Sequence, residues 1–328
     1  MIITVTLNTA VDKTLAVPNF RLGRRHRTVE QTTMPGGKGV NVARVLKTLG
    51  QPVIATGLAG GPSGTRIVEQ LTQLSVLCDF VRIGEDSRTN TAVIDPTTGE
   101  QTEINERGPA VSDPEIELFV DKLLYLAQGA SMCVFAGSLP RQVDVDVYAR
   151  LIPELRRLNV LTVIDTEGDP LRRAVRAEPD VISPNVLEAE ELVGHEFNDE
   201  EDHGIAVREM VELGPREAIM TAPDGCHALM APGEGGGVSG PPASPTLFRV
   251  RGPSLEHRST VGSGDAFLAG FVAARYQGRS PEDCLAYAVA TGAESTQHLG
   301  AGIVDPARVE RMLEEVTVER PELRAQVS

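Results

Sequence analysis

Six short runs of β-branched and apolar residues, alternating with stretches of helical spacing, constrain this chain more than any other feature. The runs cover residues 2–7, 53–56, 132–135, 160–164, 181–183 and 218–221. Apart from the Thr4 and Thr6 alternation in the first, they lack the polar–apolar pattern of a half-exposed strand, and all read as buried strands. Between them, residues 39–49, 64–74, 113–127, 144–157 and 185–193 place apolar side chains at helical intervals. Parallel neighbours need a long crossover, and a helix is the usual one. The expected fold is therefore α/β: a three-layer αβα sandwich with a mostly parallel central sheet. Ligands bind such sheets beyond the carboxyl ends of the strands. There the chain carries Gly137-Ser138-Leu139-Pro140, Asp165-Thr166-Glu167-Gly168, Ser183-Pro184-Asn185 and Gly262-Ser263-Gly264-Asp265.

Two segments break the rhythm. Residues from about 12 to 34 and from about 88 to 105 read as short alternating strands, at 14–17, 28–33, 89–94 and 100–104. The turn from Asp95 through Pro96 and Gly99 to Glu100 reads as a hairpin. Strands from two insertions can pair as a small separate sheet, lying over the strand ends as a lid or forming a dimer contact. Residues 1–328 are expected to form a single domain with these lid segments. The Gly- and Pro-rich stretch 232–245 reads as a mobile loop, and the residues after Asp305 as a terminal helix with a polar end.

Composition narrows the function. A net charge of −15 argues against nucleic acid and against anionic membranes as partners. No stretch approaches the roughly 20 apolar residues that span a bilayer. The first residues lack the basic flank and apolar run of a signal peptide. Cys78, Cys133, Cys226 and Cys284 lie far apart, which favours reduced thiols in a cytoplasmic protein over disulfides or a metal site. Against this acidic background Arg21, Arg24, Arg25, His26 and Arg27 form a basic cluster. It suits an anion site or its approach, and equally a solvated loop or an interface.

Two glycine clusters carry the chemistry. Gly262-Ser263-Gly264 stands immediately ahead of Asp265 and an apolar helix. Such a turn can aim backbone N–H groups at an anion, with the helix dipole in support. Asp265 beside that anion suits a base that takes a proton from an attacking hydroxyl. The same residues also suit an ordinary N-cap. The second cluster is Pro35-Gly36-Gly37-Lys38-Gly39-Val40-Asn41. It is not a Walker A loop, because position 32 is Thr and Gly39 replaces the hydroxyl residue that should follow the lysine. Lys38 and Asn41 suit a polyhydroxylated, phosphorylated ligand; a turn leading into an amphipathic helix explains them as well. A Rossmann dehydrogenase is the weakest rival reading, because no G-x-G-x-x-G follows the first strand and Phe267 stands where a third glycine should be.

In this order and at these ends of the chain, the two clusters resemble the signatures of the PfkB (ribokinase-like) family of carbohydrate kinases. The resemblance covers nearly the whole chain. The segments Thr6-Leu7-Asn8-Thr9-Ala10-Val11-Asp12, Ser87-Arg88-Thr89-Asn90 and Thr102-Glu103-Ile104-Asn105 are similar to the 1-phosphofructokinase and tagatose-6-phosphate kinase branch. So are Gly108-Pro109 and Gly137-Ser138-Leu139-Pro140. The resemblance implies ATP and Mg2+ as cofactors and phosphorylation of a phosphorylated ketohexose, with fructose 1-phosphate going to fructose 1,6-bisphosphate as the first expectation. It implies that Asp265 is the catalytic base and that Gly262, Ser263 and Gly264 form the anion hole. Asp12, Gly37 and Asn41 would hold sugar hydroxyls, with Asn105 and Ser138 in the same substrate site. Lys38 and Arg88 would meet the phosphate already on the substrate, with Arg27 a further candidate. Asn185 and Glu188 would help place magnesium and the nucleotide phosphates, with Glu188 the metal residue. Thr221, Gly225, Val261 and Gly264 would line the nucleotide site. The family fold adds a β lid to the sandwich, and the branch implies a homodimer through it.

The chain departs from that pattern in places. Ser183 stands where the branch carries a lysine near the nucleotide phosphates, and serine cannot replace its charge. Thr221-Ala222-Pro223-Asp224-Gly225 replaces the usual Ser-Leu-Gly-x-x-Gly, and Pro140-Arg141-Gln142 the usual Pro-Pro-Gly. Thr9 stands for proline and Ser263 for alanine. Tagatose 6-phosphate, fructose 6-phosphate or another sugar therefore remain open as acceptors. So does a degenerate kinase that binds sugar phosphate or ATP without turnover.

Overall fold

The computed structural model describes residues 1–232 and 244–321. In chain order its strands are β1 (Ile2–Thr6), β2 (Ala10–Ala16), β3 (Glu30–Gly36), β4 (Val53–Gly60), β5 (Leu77–Ile83), β6 (Arg88–Ile94), β7 (Gln101–Asn105), β8 (Met132–Ala136), β9 (Leu161–Asp165), β10 (Val181–Ile182), β11 (Glu217–Ala222), β12 (Gly225–Met230), β13 (Thr246–Arg251) and β14 (Thr317–Glu319). The helices are α1 (Lys38–Thr48), α2 (Gly61–Gln73), α3 (Asp113–Ala127), α4 (Val147–Arg157), α5 (Gly168–Val175), α6 (Val186–Val193), α7 (Glu200–Glu212), α8 (Ser263–Tyr276), α9 (Pro281–Ser295) and α10 (Pro306–Leu313).

The large sheet has the order β14-β13-β12-β11-β10-β9-β8-β1-β4-β5. Every pair from β11 to β5 is parallel, and β12, β13 and β14 extend one side antiparallel. Successive side chains of a strand point to opposite faces, so each strand feeds two cores. Ile2 joins the core under α1, α2, α8, α9 and α10, while Ile3 and Val5 join the core under α3 to α7. This is the expected three-layer sandwich.

Local chemistry fixes the helix starts. At α3 the Glu115 carboxylate accepts from Ser112 N at 2.8 Å and from Ser112 Oγ at 2.7 Å, which closes the first turn. At α6 Asn185 and Glu188 form the reciprocal pair, 2.9 Å and 2.8 Å.

The second sheet has the order β3-β2-β6-β7. β2 and β6 run parallel, and the outer pairs antiparallel. The expected hairpin is present: Gly99 N donates to Asp95 O at 2.8 Å. The Asp95 carboxylate also accepts from Asn19 N and Phe20 N, at 2.9 and 2.8 Å, so it ties both insertions together.

Several elements differ from expectation. β2 begins at Ala10 rather than near 14, because its pairing with β6 starts at Ala10↔Arg88. β4 runs on to Gly60, past Gly57, whose lack of a side chain hid the strand. β5, β12, β13 and β14 had no clear signal: they lie toward the two margins of the sheet, and β5 exposes Leu77, Asp79 and Arg82. Residues 233–243, most of the expected loop, and 322–328 lie outside the described residues. None of the four cysteines is in a disulfide. Burial pushes the thiols of Cys226 and Cys284 up to about 12.

Candidate active site

A cleft of about 920 Å3 lies between the carboxyl ends of the strands and the small sheet. α8 opens at its floor. Gly262 precedes the helix with φ +75°, a conformation that glycine adopts without strain. A Cβ there would also stand 2.4 Å from that of Ala301. Ser263 N–H turns back to Thr260 O at 3.2 Å. Among the described residues the N–H groups of Gly262, Gly264 and Asp265 have no acceptor. The space where Gly264 would carry a Cβ is open. The turn thus presents unpaired donors at a helix N-terminus, the arrangement that receives an anion. Ser263 contributes less to it than expected, since its N–H is engaged.

Asp265 sits in the first turn of α8 with its side chain buried, 6% exposed. Its Oδ2 accepts from Asn41 Nδ2 at 2.8 Å. Burial pushes its carboxyl up to about 7; Asp165 and Asp12 act in the same direction, and Lys38 and the Asn41 hydrogen bond oppose them. A carboxylate that ionises near neutrality is suited to exchange a proton with a hydroxyl.

Asn41 is held in turn by α1. One turn on, the buried Arg44 donates through Nη1 to Ala301 O at 2.9 Å and reaches Asn41 Oδ1 at 3.5 Å and Pro35 O at 3.4 Å. With its oxygen on Arg44, the Asn41 amide turns its nitrogen to Asp265. Burial draws the Arg44 guanidinium down to about 10, and Asp12 counters. Arg44 also fixes Ala301, the residue packed against Gly262. Sequence reasoning passed over Arg44, whose helical position looks like any solvated arginine.

Asp12 enters from β2, opposite Asn90 of β6 in register, and Asn90 Nδ2 donates to its Oδ1 at 3.0 Å. A Cβ on Gly36 would fall 1.9 Å from the Asp12 carboxylate, so the first glycine of the motif yields its space to Asp12 rather than to a ligand. Burial raises the Asp12 carboxyl; Asn90, the Gly37 backbone and Arg88 oppose.

Lys38 has partners that its place in the sequence did not announce. Its Nζ lies 2.8 Å from Asp165 Oδ1 and 3.5 Å from Glu188 Oε1. The ammonium is therefore paired with two acids, and the side chain stays 38% exposed in the cleft. Burial works against the ammonium, but Asp165, Glu188 and Asp265 outweigh it and hold its pKa above the ordinary value. Asp165, at the end of β9, was not singled out as a site residue; an acid closing a buried parallel strand was the available signal. Glu188 combines both of its readings, since Oε2 caps α6 while Oε1 faces Lys38.

The remaining expected residues line the cleft, apart from Arg27. Asn105 lines the cleft from β7, and Ser138, just after β8, accepts at Oγ from Asn8 Nδ2 at 3.3 Å. Asn185, Thr221, Gly225 and Val261 lie on the opposite side, with Ser183. Asp224 of the altered 221–225 loop pairs with the buried Arg249, and Gly252 N donates to Asp224 O at 2.9 Å, so two loops of that wall are pinned together. Arg27 is exposed on the loop between β2 and β3 and does not line the cleft, because that loop extends beyond the paired ends Ala16 and Glu30.

Residues 5–308 match the pfkB family carbohydrate kinase profile. A 1-phosphofructokinase of Borreliella burgdorferi is 33% identical over 320 residues, covering 97% of this chain and 98% of that protein. Phosphofructokinase-2 from Escherichia coli, solved in complex with substrates and products, superposes with a TM-score of 0.85 at 24% identity, over 96% of this chain and 98% of that one. Ribokinase from Arabidopsis thaliana, complexed with ribose and ATP, gives 0.71 at 20% identity, over 95% and 98%. These two structural likenesses show the fold.

Proposed function

This chain belongs to the pfkB family of carbohydrate kinases, and we propose that it transfers the γ-phosphoryl group of ATP to a phosphorylated ketohexose, with fructose 1-phosphate as the acceptor that gives fructose 1,6-bisphosphate. The observation that carries the reading is Asp265: a buried carboxylate that ionises near 7, at the mouth of unpaired backbone donors and across the cleft from Asp12. The relative named 1-phosphofructokinase supports the choice of acceptor.

Asp12 and Asn41 orient the sugar hydroxyls, and Asp265 removes the proton from the acceptor hydroxyl. The resulting oxygen attacks the γ-phosphorus in line, and the bond to the β-phosphate oxygen breaks. The donors of Gly262 and Gly264 receive the negative charge that spreads over the transferring group, while Lys38 neutralises it from the other side. The lid covers the reacting groups and excludes water.

Magnesium fits the residues present. Among the described residues no cluster of three or more ligating side chains forms a cage. Mg2+ commonly uses one or two carboxylates with substrate phosphates and water, and Asp165 with Glu188 supplies such a pair. Burial raises the Glu188 carboxyl, and Lys38 opposes that shift. When bound with the nucleotide, the ion neutralises phosphate charge.

A homodimer through the lid sheet fits the exposed Leu22, Val29 and Ile104, which are 89, 69 and 62% exposed on or beside that sheet. Light scattering on Ile104→Lys protein tests it, and an unchanged mass distribution opposes it. Among the described residues no helix is long and apolar enough to cross a membrane.

The test is ADP release with MgATP against fructose 1-phosphate, fructose 6-phosphate, tagatose 6-phosphate, fructose and ribose, beside Asp265→Asn. Turnover on one phosphorylated ketohexose, lost in the variant, supports the proposal. ATP-induced thermal stabilisation without turnover on any sugar opposes it and favours a binding protein, for which Ser183 is the motivating departure.

A further inference from the structure

A second cavity, about 550 Å3, adjoins the main cleft, and Arg88 stands in the wall of both. Three segments bring arginines to it: Arg88 opens β6, Arg107 follows β7, and Arg141 follows β8. The assembly is built rather than incidental. Asn8 Nδ2 contacts Arg107 O at 3.1 Å and Leu139 O at 3.4 Å. Arg141 N donates to Pro109 O at 2.9 Å, and Val111 N returns to Arg141 O at 3.0 Å.

The acids of this cavity are already engaged. Glu85 Oε2 accepts from Ala110 N at 2.7 Å and from Arg141 Nη2 at 2.9 Å. Asp86 accepts from Ser63 N and Oγ, at 2.9 and 3.1 Å. Glu106 Oε2 accepts from Thr89 N at 2.8 Å. Arg141 is engaged as well, through Nε to Gly108 O at 2.9 Å, but the other two cations are less committed. Arg88 directs Nε to Asn8 O at 3.3 Å and Nη1 to Glu106 O at 3.0 Å, which leaves Nη2 without a partner. Among the described residues the Arg107 guanidinium makes no hydrogen bond or ion pair. Unused guanidinium donors in a cavity that shares a wall with a sugar cleft suit a phosphate dianion, which takes paired N–H donors.

We propose that this second cavity is a phosphomonoester subsite: the phosphate already on the acceptor passes Arg88 and seats against Arg107, with Arg141 closing the outer wall. The inference rests on the sugar-phosphate reading above. It also accounts for Lys38, which is then not needed for that phosphate and serves the opposite end of the cleft.

Arg107→Ala and Arg107→Glu test it, because an exposed side chain without internal partners can be changed without disturbing the fold. With the phosphorylated ketohexose that the unchanged protein turns over, KM for the sugar rises about fivefold in Arg107→Ala, the size expected of a partly solvated charge contact. Charge reversal raises it further. Both variants keep kcat and the KM for ATP, as loss of uniform binding requires. Inorganic phosphate separates the two sources of the anion. Competitive inhibition against the sugar phosphate, weakened in Arg107→Glu, supports a seat for the substrate's own phosphate. Noncompetitive inhibition lost in Arg107→Glu places a separate free anion there and overturns the proposal. Unchanged KM for the sugar in both variants also overturns it, while wild-type turnover on the phosphorylated sugar leaves the kinase reading standing. Turnover confined to unphosphorylated sugars removes both.

Discussion

Asn41 Nδ2 donates to Asp265 Oδ2 across 2.8 Å, joining the first helix to the eighth over 224 positions of sequence. The amide can do this because Arg44 holds its oxygen, and Arg44 in turn holds Ala301 behind the turn that begins α8. The orientation of the carboxylate and the shape of the anion-receiving turn therefore depend on the same buried arginine.

Asp265→Asn keeps the size of the side chain and removes its basicity. Turnover falls about 100- to 10,000-fold, the range for removal of a general base, with the KM values for sugar and ATP within a few fold. Steady-state ADP release measures both. A variant retaining full kcat contradicts the assignment.

The ionisation of Asp265 gives activity a pH dependence of known sign. The base acts in its charged form, so kcat/KM rises with pH and levels off above about 7. Its effect on stability runs the other way. The folded pKa exceeds the ordinary 3.8, so the native state holds the proton more tightly, and stability falls as pH rises from about 4 to about 7. Asp265→Asn removes that penalty. The variant gains on the order of 1 to 3 kcal/mol at pH 8, and the gain shrinks toward pH 4. Thermal unfolding at the two pH values decides it, and a variant less stable at both would show that burial does not disfavour this charge.

Arg44→Lys separates orientation from charge. A lysine keeps the cation near Asp12 but cannot reach Asn41, Ala301 and Pro35 together. Turnover drops about 100-fold, as slight misplacement of reacting groups can produce. Arg44→Met leaves Asp12 without that cation and costs about 3 kcal/mol of stability. If kcat in Arg44→Lys equals that of the unchanged protein, Arg44 does not position the base.

Lys38→Ala distinguishes the two ends of the cleft. Placed on Asp165 and Glu188, Lys38 acts on the transferring phosphoryl group, so its loss lowers kcat about 100-fold by removing electrostatic stabilisation there. KM for the sugar phosphate stays within about twofold of its starting value. A large rise in that KM with kcat unchanged would return Lys38 to the substrate's own phosphate.

The sequence by itself determined the layered architecture. Runs such as 132–135 are apolar on both faces, and only a covered parallel sheet buries both. It also determined the glycine turn before α8, because glycines bracketing a small residue ahead of an acid and an apolar helix specify a local backbone shape. The lid was legible from its hairpin and its interruption of the rhythm. Tertiary structure alone decided what each charged side chain does. Lys38 lies next to Gly37 in sequence, yet its partners are Asp165 and Glu188, 127 and 150 positions away. Gly36 serves Asp12, Arg44 serves Asn41, and Arg107 and Arg141 come to share a cavity with Arg88. Strand and turn propensities act over a few neighbours and can be read along the chain. The partner of a charge is chosen by distance in space and by burial, and neither exists until the sheet has brought its strand ends together.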